Sequence, residues 1–187
     1  MIRTVLDANV LYSASLRRLL LQIGTSGEII PFWSERIQNE WTRNLLKNRP
    51  DIKRESLERT RRYMAFHFPK GQVQGYESII PTLWLPDPND RHVLAVAIHA
   101  KAKYIVTFDL NHFPSTILQT YNIEAVSPDE LVMRLIQKRP ERILDVVKIH
   151  RQSLARPPKT VEEYLATLEE QGLAKTAAFL REYQSDI

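Results

Sequence analysis

The sequence predicts an α/β fold, a central parallel sheet layered between helices and followed by a helical extension. Short apolar, β-branched segments alternate with helical patterns through the first three-quarters of the chain. One helix, near Asp90–Ala102, is apolar all round, as expected of an element buried on every side. Beyond Pro140 the pattern becomes purely helical. Together these place a sheet domain over 1–138 and a helical extension over 139–187.

Composition narrows the class. At 187 residues and 43% apolar side chains the chain can bury a core, so disorder is not expected. Cysteine is absent, which excludes a disulfide framework, a thiolate metal site and a cysteine nucleophile, and fits a reducing, cytoplasmic compartment. No apolar run is long enough to span a bilayer. The opening MIRTVLDANVL is not expected to be a signal peptide, because Asp7 interrupts its short apolar stretch. The net charge of +4 is mild, but its distribution is uneven. Basic residues gather between Arg36 and Arg62, whereas the segment after Thr160 is acidic.

The elements follow in order. Ile2–Leu6 reads as a buried strand that Asp7 ends, and a helix is predicted from about Asn9 to Ile23, closed by Gly24. Ile29–Phe32 is a second strand. Ser34 has the chemistry of an N-cap for a helix with Ile37, Trp41 and Leu45 on one face, broken at Pro50-Asp51. A basic helix is predicted over Lys53–Phe66. The stretch Pro69–Gly75 reads as loop, and a strand is expected near Thr82–Trp84. PDPND turns the chain into the buried helix. Tyr104–Thr107 and Ile123–Val126 are strands around a short helix at Pro114–Thr120, and Ser127 caps a helix reaching Lys138. The tail is predicted as helices over Glu141–Leu154, Val161–Glu170 and Leu173–Tyr183, with Arg156-Pro157-Pro158 as linker.

Four acids stand at special places in this scheme. Asp7 follows the first strand and Asp109 follows the strand Tyr104–Val106, so both are expected at the carboxyl edge of the sheet, where functional groups collect. Asp90 opens the buried helix, and reaches that edge only if its loop bends back. Glu40 lies one residue before the core-facing Trp41. Each has an ordinary explanation: Asp7 and Asp90 as helix caps, Asp109 as a turn aspartate, Glu40 as a surface acid. Their conjunction carries more weight than any member. Converging carboxylates cannot all stay ionised unless a cation joins them. An all-oxygen donor set points to Mg²⁺, with Mn²⁺ as the alternative, rather than zinc.

At this point the chain resembles a family. LDANVL at Leu6–Leu11 is similar to the opening motif of PIN-domain nucleases, and NDRHVLAVAIHAKAKYIVTFDLNHF at Asn89–Phe113 is similar to their second half. With PDPNDRHVLA and the helical tail, the chain most resembles the longer VapC-type toxins. The resemblance implies a PIN-like α/β/α sandwich, metal-dependent endoribonuclease activity on RNA, and inhibition by a cognate antitoxin protein. It implies metal-binding and catalytic roles for Asp7, Glu40, Asp90 and Asp109, with Asn9 and Thr107 in support. Asp87 is the alternative to Asp90. Many relatives carry a further acid where this chain has His112, which reads as an ordinary surface histidine, with a weak metal ligand or a phosphate contact as the alternative.

An acidic site on an acidic polymer needs basic help. The candidates are Arg43, Arg54, Arg61 and Arg91, and the same cluster could dock an acidic antitoxin segment or be a solvated face laced with ion pairs. The apolar stripes of the tail are expected to pack on the sheet domain, with a partner or homodimer surface as the other reading. Two further classes stay open. A phosphatase would want a second aspartate where Asn9 stands, and a receiver would want a lysine after a late strand. A non-catalytic nucleic-acid-binding or regulatory module on a nuclease-like fold is the second.

Overall fold

The computed structural model describes residues 1–154 and 157–187. Five strands form one wholly parallel sheet: β1 (Ile2–Leu6), β2 (Ile29–Ser34), β3 (Gln72–Val73), β4 (Tyr104–Val106) and β5 (Glu124–Val126). Their order is β3-β2-β1-β4-β5. From β1 the chain builds outward through β2 and β3, then returns to the other side of β1 to lay down β4 and β5. The switch point therefore falls beside β1, and the crevice at its carboxyl end is where such sheets place ligands.

Parallel strands are buried on both faces, which is why they read as continuous apolar runs. Val5, Leu6, Ile105 and Val106 are fully inaccessible. Helix α5 (Arg91–His99) crosses one face against β1, β2 and β4, and Val93–Ala97 are all buried. A crossover helix runs antiparallel to the strands it joins, so its amino end lies at their carboxyl edge. Asp90 arrives there by the geometry of the crossover itself, and no bending back of its loop is needed.

The early helix departs from expectation. It is split into α1 (Ala8–Tyr12) and α2 (Ala14–Thr25) at Ser13, whose backbone is extended and whose hydroxyl accepts from Leu16 N. A serine that bonds the backbone locally competes with helix continuation. Gly24 lies inside α2, and the left-handed turn falls at Gly27. The strand expected near Thr82–Trp84 does not form; a 3₁₀ turn over Glu77–Thr82 precedes an extended passage instead. In the stretch read as loop, Gln72–Val73 pairs with Trp33–Ser34 as the edge strand β3.

Ser34 does cap α3 (Glu35–Asn48), accepting from Ile37 N, and Ile37, Trp41 and Leu45 form its buried face. Trp41 is fully buried; its Nε1 donates to Gln38 Oε1 at 2.6 Å, and the Arg17 guanidinium lies 4.4 Å from its ring centroid. Burial lowers the Arg17 pKa to about 10. Trp41→Ala opens a cavity beneath the helix that carries Glu40 and strips Arg17 of its aromatic cover. It is expected to cost about 3–5 kcal/mol, measured by urea unfolding; a loss below about 1 kcal/mol would contradict this packing.

The basic helix α4 (Arg54–His67) lies on α3. After a short α6 (Ser115–Leu118) and β5, Ser127 caps α7 (Pro128–Lys138). The tail comprises α8 (Pro140–Ser153), α9 (Val161–Glu170) and α10 (Ala174–Leu180). Its stripes pack as the apolar spacing suggests, α8 on α2 and α7, and α10 on α7 and α9, burying Ile143, Val147, Leu165, Leu168 and Ala177. Of the expected linker, Arg156 lies outside the described residues, and Pro157 and Pro158 are exposed.

Candidate active site

The carboxyl ends of β1 and β4 are joined by a closed hydrogen-bond network. Thr107, fully buried after β4, donates from Oγ1 to Asp7 Oδ2 at 2.7 Å. The same oxygen accepts from Asn9 Nδ2 at 3.0 Å and from Asp109 N at 3.1 Å. Asn9 Nδ2 also donates to Asp109 Oδ2 at 2.9 Å, and Asn9 Oδ1 accepts from Phe108 N at 3.3 Å. The threonine hydroxyl thus uses its one donor and both acceptor positions. Asn9 and Thr107 orient both acids, and Asp7 and Asp109 lie on the same edge.

Asp7 is 6% exposed and has no cationic partner within ion-pair distance among the described residues. Its Oδ1 accepts from Ala8 N at 2.7 Å, so it also caps α1. Burial pushes its carboxyl from the ordinary 3.8 up to about 6, against the lowering effect of Thr107 and Ala8, with the Asp90 charge adding to the rise. Asp90 stands at the start of α5, and its side chain makes no capping bond. Its carboxyl is also raised, first by burial and then by the charge of Asp87, despite a hydrogen bond to His112.

His112 is not a free surface histidine. Its Nδ1 lies 2.7 Å from Asp90 Oδ2, and that contact raises its pKa. Asp87, Asp90 and His112 each bring a ligand atom within 4.8 Å of the others, the one such group among the described residues; no three of Asp7, Glu40, Asp90 and Asp109 lie that close together. The geometry therefore offers two adjoining carboxylate clusters: Asp7 with Asp109 through Thr107 and Asn9, and Asp90 with Asp87 and His112. The charge of Asp90 on Asp7 links them.

Glu40 enters from α3. Its Oε1 is 3.1 Å from Arg36 Nε and 3.2 Å from Nε2 of His92, whose side chain is 1% exposed. Burial alone would raise the Glu40 carboxyl, but the bonds and charges of His92 and Arg36 outweigh it and leave it below the ordinary range. Arg36 also donates to Asn89 O at 3.3 Å, tying α3 to the PDPND loop. Against the effect of burial, His92 pulls the carboxyls of Asp7, Glu40 and Asp90 downward. His92 Nδ1 is buried with no hydrogen-bond partner among the described residues.

The sequence did not reveal the two histidine pairings. Each joins residues far apart in the chain. The one local hint for His112 is its place at the end of a 3₁₀ turn that begins after Asp109 and folds the chain back. The arginine candidates divide. Arg43 and Arg54 are exposed and form no ion pair among the described residues. Arg61 is held by Glu35 and Asn39, and Arg91 is half-buried, with Nε buried and unpartnered among the described residues.

A parallel sheet with acids gathered at the carboxyl end of its switch point has the architecture of a PIN domain, and the chain belongs to that family: the PIN-domain profile matches residues 3–111, more than half its length. The VapC50 C-terminal domain matches residues 128–182. The chain is similar to the protein named "Putative ribonuclease VapC50" of Mycobacterium tuberculosis (strain ATCC 25618 / H37Rv), 37% identical over 82 residues, 44% of this chain and 48% of that protein. The chain thus spans about half the length of the curated relative it matches. No solved structure matches.

Proposed function

We propose that this protein is a Mg²⁺-dependent endoribonuclease that hydrolyses RNA phosphodiester bonds and serves as the toxin of a VapBC-type toxin–antitoxin pair. The observation that carries the reading is Asp7: a buried carboxylate with no ion-pair partner among the described residues, at the sheet's switch point, within the field of Asp90 and bonded through Thr107 to the Asp109 loop. A buried acid with a raised pKa in such a place is a functional-site candidate. The nuclease unit is assigned to 1–138 and the helical extension to 139–187.

The donors fit a hard divalent cation. Asp90, with Asp87 and His112, already forms a group close enough to hold it; Asp7, Glu40 and Asp109 are proposed as its further ligands, drawn in when the ion binds. When bound, such an ion lowers the pKa of a water and stabilises charge on phosphate oxygens. The protein's own part is positioning. Thr107 and Asn9 fix the carboxylates of Asp7 and Asp109, His92 and Arg36 hold Glu40, and His112 holds Asp90. Such partners keep a ligand set from collapsing in the absence of its ion.

RNA as the substrate is supported by the relative's name. A cognate antitoxin is proposed on the VapC resemblance, and a homodimer and a cytoplasmic location belong to the same reading. No helix among the described residues is long and apolar enough to cross a membrane. Incubation with RNA should give cleavage products with Mg²⁺ or Mn²⁺ and none with EDTA. Binding without cleavage under every metal condition would favour the non-catalytic module instead.

Arg43 and Arg54 are exposed cations of the basic cluster with no ion pair among the described residues, and are assigned to phosphate contacts. Arg43→Ala and Arg54→Ala should each raise KM about threefold, leave kcat nearly unchanged, and lower the salt slope of RNA affinity by about 0.7. Arg61→Ala should instead loosen α4 from α3. Unaltered salt slopes in both exposed variants would remove these residues from the RNA path.

A further inference from the structure

We propose that the C-terminal extension braces the active-site loop, and that Phe108 is the positioning residue through which it acts on Asp109. Phe108 stands between Thr107 and Asp109, the two residues that tie β4 to Asp7 and Asn9. Its backbone N–H donates into that network, to Asn9 Oδ1. The residue is 43% exposed, and its side chain lies against the turn between α9 and α10. A Cβ built on Gly172 would stand 3.1 Å from Phe108 Cε1, so the ring lies directly against the glycine backbone. Gly172 has φ +79, where glycine is the residue of choice, and its missing side chain makes room for the ring.

The turn is itself anchored. Asp129, buried on α7, accepts from Lys175 N at 3.0 Å, from Thr176 N at 2.9 Å and from Thr176 Oγ1 at 2.7 Å. One carboxylate thus satisfies the free amides at the start of α10 from a different helix. Leu168, Leu173 and Ala177 bury the turn's apolar side. The chain of contact runs from Asp129 to α10, to Gly172, to Phe108, and so to the loop that presents Asp109. The same loop is held on its other side by Thr107, by Asn9 and, through His112, by Asp90, and a ligand displaced by an ångström is a poor ligand.

The consequence for catalysis rests on the nuclease reading; the brace itself does not. Three variants of the full chain separate them: Phe108→Ala, Phe108→Leu and Asp129→Ala, each compared with the wild type at a temperature where circular dichroism reports it folded. Amide exchange at Asp109, whose N–H bonds Thr107 Oγ1, reads the loop directly. Phe108→Ala and Asp129→Ala should each speed that exchange about tenfold, weaken Mn²⁺ affinity several-fold and lower single-turnover cleavage about tenfold with KM little changed, while Phe108→Leu restores most of it. Wild-type exchange at Asp109 in both Phe108→Ala and Asp129→Ala overturns the proposal. So does a rise in KM alone confined to Phe108→Ala, which would make the ring an RNA contact. If the wild type neither binds Mn²⁺ nor cuts RNA, the nuclease reading fails, and the exchange rates still decide the brace.

Discussion

Asp7→Asn should abolish RNA cleavage, by about a thousandfold or more, and at the same time make the metal-free protein more stable at neutral pH. The two effects share one cause. The Asp7 carboxyl is buried with no ion-pair partner among the described residues, and its pKa rises from the ordinary 3.8 to about 6. A group raised in this way contributes stability that is fully present below about pH 3.8 and is lost as pH rises through about 6. Ionising Asp7 at pH 7.5 therefore costs the fold about 3 kcal/mol at most. Asparagine carries no charge and keeps one oxygen, for the Thr107 hydroxyl. Its amide nitrogen cannot accept from Ala8 N, which costs about 1 kcal/mol of helix capping at every pH. That is less than the charge costs at pH 7.5, so the variant should lack the pH-dependent loss. Urea unfolding in EDTA between pH 4 and pH 8 should show wild-type stability falling relative to the variant across that window. At pH 7.5, Mg²⁺ should stabilise the wild type and leave Asp7→Asn unmoved, because a ligand stabilises only the state that binds it. Cleavage within tenfold of the wild type would remove Asp7 from the chemistry.

Asp90→Asn should be as severe for catalysis and should leave a second mark. Asp90 takes part in both clusters, through its charge on Asp7 and its contact with His112. The His112 pKa is raised chiefly by that contact. Neutralising Asp90 should bring the histidine back towards its ordinary value, read from its ring proton shifts across a pH titration without metal. Cleavage should fall by about a thousandfold while circular dichroism stays that of the wild type. Asp87→Asn, which removes a neighbour rather than the shared ligand, should have the smaller effect. A full loss in Asp87→Asn with activity kept in Asp90→Asn would exchange their roles.

The parts of this fold legible in the sequence were those governed by local chemistry and long patterns. Ser34 and Ser127 cap the helices expected of them, Ile37, Trp41 and Leu45 share a buried face, and Val93–Ala97 vanish into the core. Strand-end Asp7 and Asp109 needed only parallel topology to meet on one edge. What escaped was decided elsewhere in the chain. β3 is two residues long and exists because β2 offers an edge to pair with. The position of Asp90 follows from the antiparallel run of a crossover helix, which no window around the residue reveals. His92 with Glu40, His112 with Asp90, and Phe108 with Gly172 are tertiary meetings, and periodicity carries no information about them. Ser13 was within reach: a serine three residues before Leu16 N is a capping signal, overridden by the apolar run that follows.

Crystals soaked in Mn²⁺ and measured for its anomalous scattering address the central claim, that the acids at the switch point share a divalent cation. The account predicts a peak bound by both Asp7 and Asp90, at the carboxyl ends of β1 and β4, absent from crystals of Asp7→Asn. A soaked crystal with no peak against either carboxylate, from protein that cleaves RNA, would contradict it.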